Sequence, residues 1–122
     1  MSTPVGNIGL KQDLQIKQGA DFAIEVDLYN LDNTPFDLTP YTHVARLRKK
    51  PFATPVITIT CTSPLAGRLR FALTRTQTAA LTCGPNLDSD ASSYVWDHEL
   101  ITIANGVIVP GFYGNVSIFR DI

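Results

Sequence analysis

A chain of 122 residues, 44% hydrophobic and 17% charged, has room for one hydrophobic core and no second, because a domain of this size buries about two thirds of its unfolded surface around a single centre. The formal net charge of −1 excludes the global positive field that would draw the chain to nucleic acid or an anionic membrane. No window holds the ~18 uninterrupted apolar residues of a membrane span, and MSTPVGNIGLKQD lacks the basic start and apolar run of a signal peptide, so synthesis in a cytoplasm is expected.

The first ten residues show neither a helical nor a strand period and read as an extended N-terminal arm (1–10), leaving 11–122 as a single domain. From Leu14 the period is two. Leu14 and Ile16 make a short run, and after Gly19 the residues Phe22, Ile24, Val26 and Leu28 alternate with Ala23, Glu25, Asp27 and Tyr29, giving a strand with one dry and one wet face. LDNTPFDLTPY concentrates Asp, Asn, Thr and Pro and predicts a turn and a corner. THVARLRKK resumes the alternation, with Ala45 and Leu47 on one face and Arg46 and Arg48 on the other. PVITITCT places Ile57, Ile59 and Cys61 on a common face, and GRLRFAL does the same for Leu69, Phe71 and Leu73.

TRTQTAALTCG breaks the period. Thr74 and Gln77 have capping-box spacing, which predicts one short helix near residues 75–82 with Gly84 able to close it. The polar loop PNLDSDASS leads into SYVWDHELI, another alternating run, and Asn105-Gly106 announces a hairpin whose return is VIVP and FYGNVSIFR. Gly111 and Gly114 flank an aromatic pair and permit a bend or a bulge. Seven to eight short strands without long intervening helices specify an all-β chain, and an antiparallel immunoglobulin-like β-sandwich is the expected architecture.

The segment SYVWDHELI gathers the single Trp, a His and two carboxylates, and is where catalysis would be sought. Period two puts Tyr94, Trp96, His98 and Leu100 on one face and Asp97 and Glu99 on the other, so the imidazole points away from both acids and an acid–base pair is not formed. A metal would need further ligands on the face of His98, and His43 is the one available there. Cys61 and Cys83, without paired spacing, are expected to be reduced and buried. Asp88-Ser89-Asp90 lacks the glycine and closing glutamate of a calcium loop. No Ser sits in a nucleophile elbow and no glycine-rich loop cradles a phosphate. The residues therefore predict no catalytic group, no metal and no cofactor.

Charge is unevenly spread. Residues 38–87 contain no Asp or Glu but hold Arg46, Arg48, Lys49, Lys50, Arg68, Arg70 and Arg75, while acidic residues dominate before and after, which predicts one basic and one acidic side. RLRKK is expected to repel other strand edges or to dock on an acidic protein rather than on nucleic acid.

The order of landmarks adds a resemblance. The corner Pro35, Asp37, Leu38, Thr39, Tyr41 is followed by Gly67, Leu69, Leu73, Thr74, Gln77, Thr78 and Leu81. Then come Tyr94, Trp96, Asp97, Glu99 and Leu100, and finally Gly114, Val116 and Ile118. This succession resembles the small immunoglobulin-like β-sandwich domains of tailed-bacteriophage virion proteins, found in baseplates, fibre attachments, tails and necks. The resemblance covers about residues 12–119, and the chain departs from it in a longer loop at PNLDSDASS and in His98, where an aliphatic residue is usual. It implies a non-enzymatic, multi-copy virion protein made in the host cytoplasm, whose partners are other virion proteins and copies of itself in a symmetric assembly, with no small-molecule substrate and no membrane. Pro4, Val5, Ile8 and Leu10 of the arm and Arg46, Arg48, Lys49 and Lys50 are the expected protein interface. Two other readings are a carbohydrate or host-surface module using Trp96, Phe112 or Tyr113, since sugar platforms need a flat exposed aromatic, and a capsid decoration protein.

Overall fold

The computed structural model describes residues 10–81 and 92–119. Eight strands and one short helix occur among them, in the order β1 (Leu10–Lys11), β2 (Leu14–Lys17), β3 (Phe22–Asp27), β4 (Tyr41–Arg48), β5 (Pro55–Leu65), β6 (Arg68–Leu73), α1 (Arg75–Ala79), β7 (Ser92–Thr102) and β8 (Ile108–Phe119). Apart from β1, whose two residues are both exposed, the strands follow stretches in which apolar side chains recur at every second residue, and most of the buried positions fall on those residues.

The strands form one curled sheet in the order β1-β8-β7-β4-β5-β6-β3, with β2 also on β8. The curl turns at β5. Its first half pairs with β4 through Ala45↔Ile59 and Leu47↔Ile57, and its second half pairs with β6 through Thr60↔Ala72 and Cys61↔Phe71. The two ends of the sheet thus face one another across a shared core. Phe71 of β6 meets Trp96 of β7 edge-on, with ring centroids 5.0 Å apart, although the two strands are not neighbours in the sheet. Leu47, Leu69, Leu100, Val116 and Ile118 complete the dry centre.

A wholly antiparallel sheet was the expectation, and one edge departs from it. β1 and β2 both run parallel to β8, with Leu10↔Phe112 and Leu14↔Val116 in register. Alternation fixes which face a residue takes and is silent about strand direction, so the sequence pattern had no means of distinguishing the two. The crossing is made possible by Gly114, where a Cβ would lie 2.3 Å from the Gln12 carbonyl oxygen. That same carbonyl accepts the indole N–H of Trp96 at 2.6 Å, and the Asp13 carboxylate accepts the Asn115 N–H at 2.9 Å. Leu10, assigned to the arm by its sequence, is therefore already a strand residue.

The helix is shorter than the expected 75–82. The capping box forms as predicted, with Thr74 accepting from the Gln77 N–H and Gln77 accepting from the Thr74 N–H. Ala80 then caps the helix, and Leu81 drops into the core. Thr78 pins the helix to the turn before β3 by donating to the Ala20 carbonyl and accepting from the Gly19 N–H. The 29–41 segment makes the predicted corner through two Asx turns, in which Asp32 and Asp37 each accept from the N–H and hydroxyl of the threonine two residues on. Phe36 and Leu38 hang from this corner into the core.

Candidate functional site

β7 presents its side chains as the alternation requires: Tyr94, Trp96, His98 and Leu100 point inward, and Asp97 and Glu99 outward. The imidazole and the two carboxylates lie on opposite faces. His98 is only 1% exposed. The cause is a bulge. Asp97 pairs with Tyr113 and Glu99 with Pro110, so one residue of β7 faces Gly111 and Phe112 together. Gly111 is required there, because a Cβ would stand 2.2 Å from His98 Nδ1. The ring stacks on Phe112 and meets Phe71 edge-on at 5.0 Å.

Three polar side chains converge at this point. His98 Nε2 is 3.1 Å from His43 Nδ1 on β4, while His98 Nδ1 accepts a long, 3.4 Å bond from the Phe112 N–H. This assigns the His98 proton to Nε2, donated to His43. Cys61 of β5 completes the group: its Sγ and one ring nitrogen from each histidine all lie within 4.8 Å of one another. Burial, and secondarily His43, push the His98 pKa down to about 3. Burial alone also lowers that of His43, so both rings are neutral near pH 7. Burial raises the Cys61 thiol to about 12, which keeps it protonated and unreactive as a nucleophile. Cys61 is a free thiol; Cys83 lies outside the described residues.

Sequence reasoning found the two histidines and missed the cysteine. The signal needed was the register of three strands. β4 lies between β5 and β7, and Ala45 faces Ile59 on one side and His98 on the other. Two residues along, the same face carries His43 and Cys61. Ala45 is small enough to let the His98 ring lean diagonally to His43.

On the outer face, among the described residues, the predicted separation into a basic and an acidic side does not occur. Strand pairing sets the basic segments against the acidic ones. Arg48 donates to Asp97 at 2.8 Å and to the Ala53 carbonyl at 2.9 Å, and Arg46 reaches Glu99 at 3.4 Å. Arg68 makes a fork to Asp27 at 2.8 and 3.2 Å, with Glu25 at 3.7 Å. Of the expected basic interface, Arg46 and Arg48 thus serve the sheet, and Lys49 and Lys50 stand exposed in the β4–β5 turn. Phe52 at the tip of that turn is fully exposed and holds a left-handed φ of 65°. It borders a groove of about 740 Å3 that Lys11, Arg48, Asp97 and Tyr113 also line. Trp96 and Phe112 are buried and offer no sugar platform, whereas Tyr113 is exposed. Pro4, Val5 and Ile8, like the Asp88-Ser89-Asp90 turn, lie outside the described residues; Leu10 is exposed on β1.

No protein-family model matches the chain, and no curated protein does. Among solved structures it is similar to a DUF4785 family protein from Legionella pneumophila, at a TM-score of 0.47 and 18% identity, covering 91% of this chain and 27% of that one. It is also similar to the ZIG-8–RIG-5 IG1–IG1 heterodimer, at 0.38 and 9% over 93% of this chain and 84% of that one. A third likeness is to the natural-killer-cell receptor NKp44, at 0.40 and 13% over 92% and 99%.

Proposed function

We propose that the chain is a non-enzymatic docking protein of a tailed-phage virion, present in many copies, and that its curled sheet is an immunoglobulin-like sandwich. The strand order supports the fold assignment. β4, β7 and β8 take the places of strands C, F and G, and β3, β6 and the second half of β5 take those of B, E and D. The short helix then falls between E and F.

The observation that carries the docking reading is Phe52. A non-glycine residue in the left-handed region costs about 1 kcal/mol, and leaving a phenylalanine in water forgoes about 2 kcal/mol more. Both costs fall on one side chain at a turn tip that follows Lys49 and Lys50 and lies beside an open groove. This is the form of an interface anchor: an aromatic that fills a partner's apolar pocket while the lysines meet an acidic rim. The partners are neighbouring virion proteins or further copies of the chain, and residues 2–9 are a second attachment.

The test is incorporation into particles. Phe52→Ser should fold with an unchanged or raised Tm and lose about 30-fold in occupancy, the equivalent of an anchor worth about 2 kcal/mol. Lys49→Glu with Lys50→Glu should weaken incorporation in a salt-dependent manner. Wild-type occupancy for both variants would refute the anchor, and wild-type occupancy after deletion of residues 2–9 would refute the arm.

A further inference from the structure

We propose that His43, Cys61 and His98 form a metal site for zinc(II), with two imidazole nitrogens and one thiolate as protein ligands and a fourth position open to water. Three adjacent strands supply one ligand each from the face they turn to the core. The geometry is close to what the ion needs. Two nitrogens on one tetrahedral zinc, at about 2.0–2.1 Å from it, stand about 3.3 Å apart, and His43 Nδ1 and His98 Nε2 are already 3.1 Å apart. A nitrogen and a thiolate on the same ion stand about 3.6 Å apart. The Cys61 sulfur and one nitrogen of each ring lie within 4.8 Å of one another, so ligation draws the three side chains together.

The donor set is selective. A soft thiolate with two imidazoles suits borderline and soft ions, zinc and copper among them, and disfavours magnesium and calcium, which take oxygen ligands. An entry path also exists. His43 lines a groove of about 660 Å3 between the corner at Pro35, Leu38 and Tyr41 and the turn at Pro64 and Leu65, and this groove can deliver the ion and hold the fourth ligand. His98 lies further in, where Phe71 and Phe112 cover its ring and exclude water from the inner side of the cluster.

Binding balances without any redox partner. The zinc–sulfur bond forms as the Cys61 S–H bond breaks, and that proton leaves to solvent through the groove. His98 moves its own proton from Nε2 to Nδ1, giving up the long contact with the Phe112 amide and the donation to His43, and frees its Nε2 lone pair for the ion. The ion then staples β4, β5 and β7, the strands around the turn of the curl.

The full-length chain, reduced and stripped with a chelator, is titrated with Co2+ as a spectroscopic probe and then with Zn2+. One equivalent of Co2+ should raise a thiolate-to-cobalt charge-transfer band and tetrahedral visible bands, and Zn2+ should displace it and raise Tm. The Cys83→Ser chain should behave as wild type. Cys61→Ser should lose the charge-transfer band, and His43→Gln should weaken binding at least 10-fold; both positions are half-buried, and their metal-free urea midpoints verify folding. No charge-transfer band, a band that survives in Cys61→Ser, or a Tm indifferent to Zn2+ would each overturn the site and leave a hydrogen-bonded histidine pair beside a bystander thiol.

Discussion

Gly111 and His98 illustrate how one residue is chosen for another. The imidazole reaches the core because the opposite strand bulges and carries no side chain at its point of closest approach. Gly111→Ala should therefore cost about 1–3 kcal/mol through overpacking against the ring, read as a lowered urea midpoint at unchanged slope, whereas Gly106→Ala meets no atom within 4 Å and pays only for its left-handed φ of 67°. His98 also makes stability depend on pH. Its pKa is about 3 in the folded chain against 6.5 when exposed, so between these values the unfolded state holds more protons and acid favours unfolding. In protein kept metal-free, stability should be flat above pH 6.5 and fall as pH drops from there toward 3. His43 and Cys61 are the titratable groups facing the ring: His43 shifts in the same sense and adds to the fall, while the thiol stays neutral throughout. A urea midpoint that does not change between pH 7.5 and pH 4.5 would contradict the burial of the imidazole.

At the scale of elements, the cross-strand ion pairs differ in what they contribute. Arg48 is 17% exposed and divides its donors between Asp97 and the Ala53 carbonyl, so it fixes the β4–β5 turn as well as the β4–β7 pairing. Arg75 and Asp21 are 76% and 67% exposed at 3.9 Å, where water screens the attraction. Asp97→Ala is expected to cost about 1 kcal/mol, an effect of a charge-assisted bond that loses its acceptor, and Arg75→Ala less than about 0.5 kcal/mol. Thermal melts of the two variants separate these outcomes. Strand existence, the capping box and the corner were all legible in the sequence, since each depends on residues within about four positions of one another. The helix end was less so, because Leu81 leaves the helix for a tertiary reason: its side chain is buried in the core.

The whole molecule is closed by its two ends. β1 and β2 lie along β8, about a hundred residues away in sequence, and Trp96 is tied to the N-terminal crossing by its indole N–H. Folding must therefore wait for a long loop to close, which places the chain among slow, β-rich folders. Trp96, 2% exposed, should emit in the blue and resist quenching by acrylamide. Ile16→Ala, at a fully buried position of β2, should cost about 2–5 kcal/mol and speed unfolding. If that variant is as stable as wild type, β2 is not part of the core.

The amino-acid order alone determined which residues face inward, because a strand flips its side chains at every step whatever it pairs with. It thereby determined the all-β class, the dry face of β7 and the separation of His98 from Asp97 and Glu99. Direction, register and charge pairing were decided only when the sheet closed: the parallel edge against β8, the neutralisation of Arg46 and Arg48, and the meeting of His43, Cys61 and His98 on three strands. The physical reason is range. Alternation acts between neighbours along the chain, whereas a register joins residues tens of positions apart and is fixed by what else must fit, here the missing side chains of Gly111 and Gly114 and the small one of Ala45.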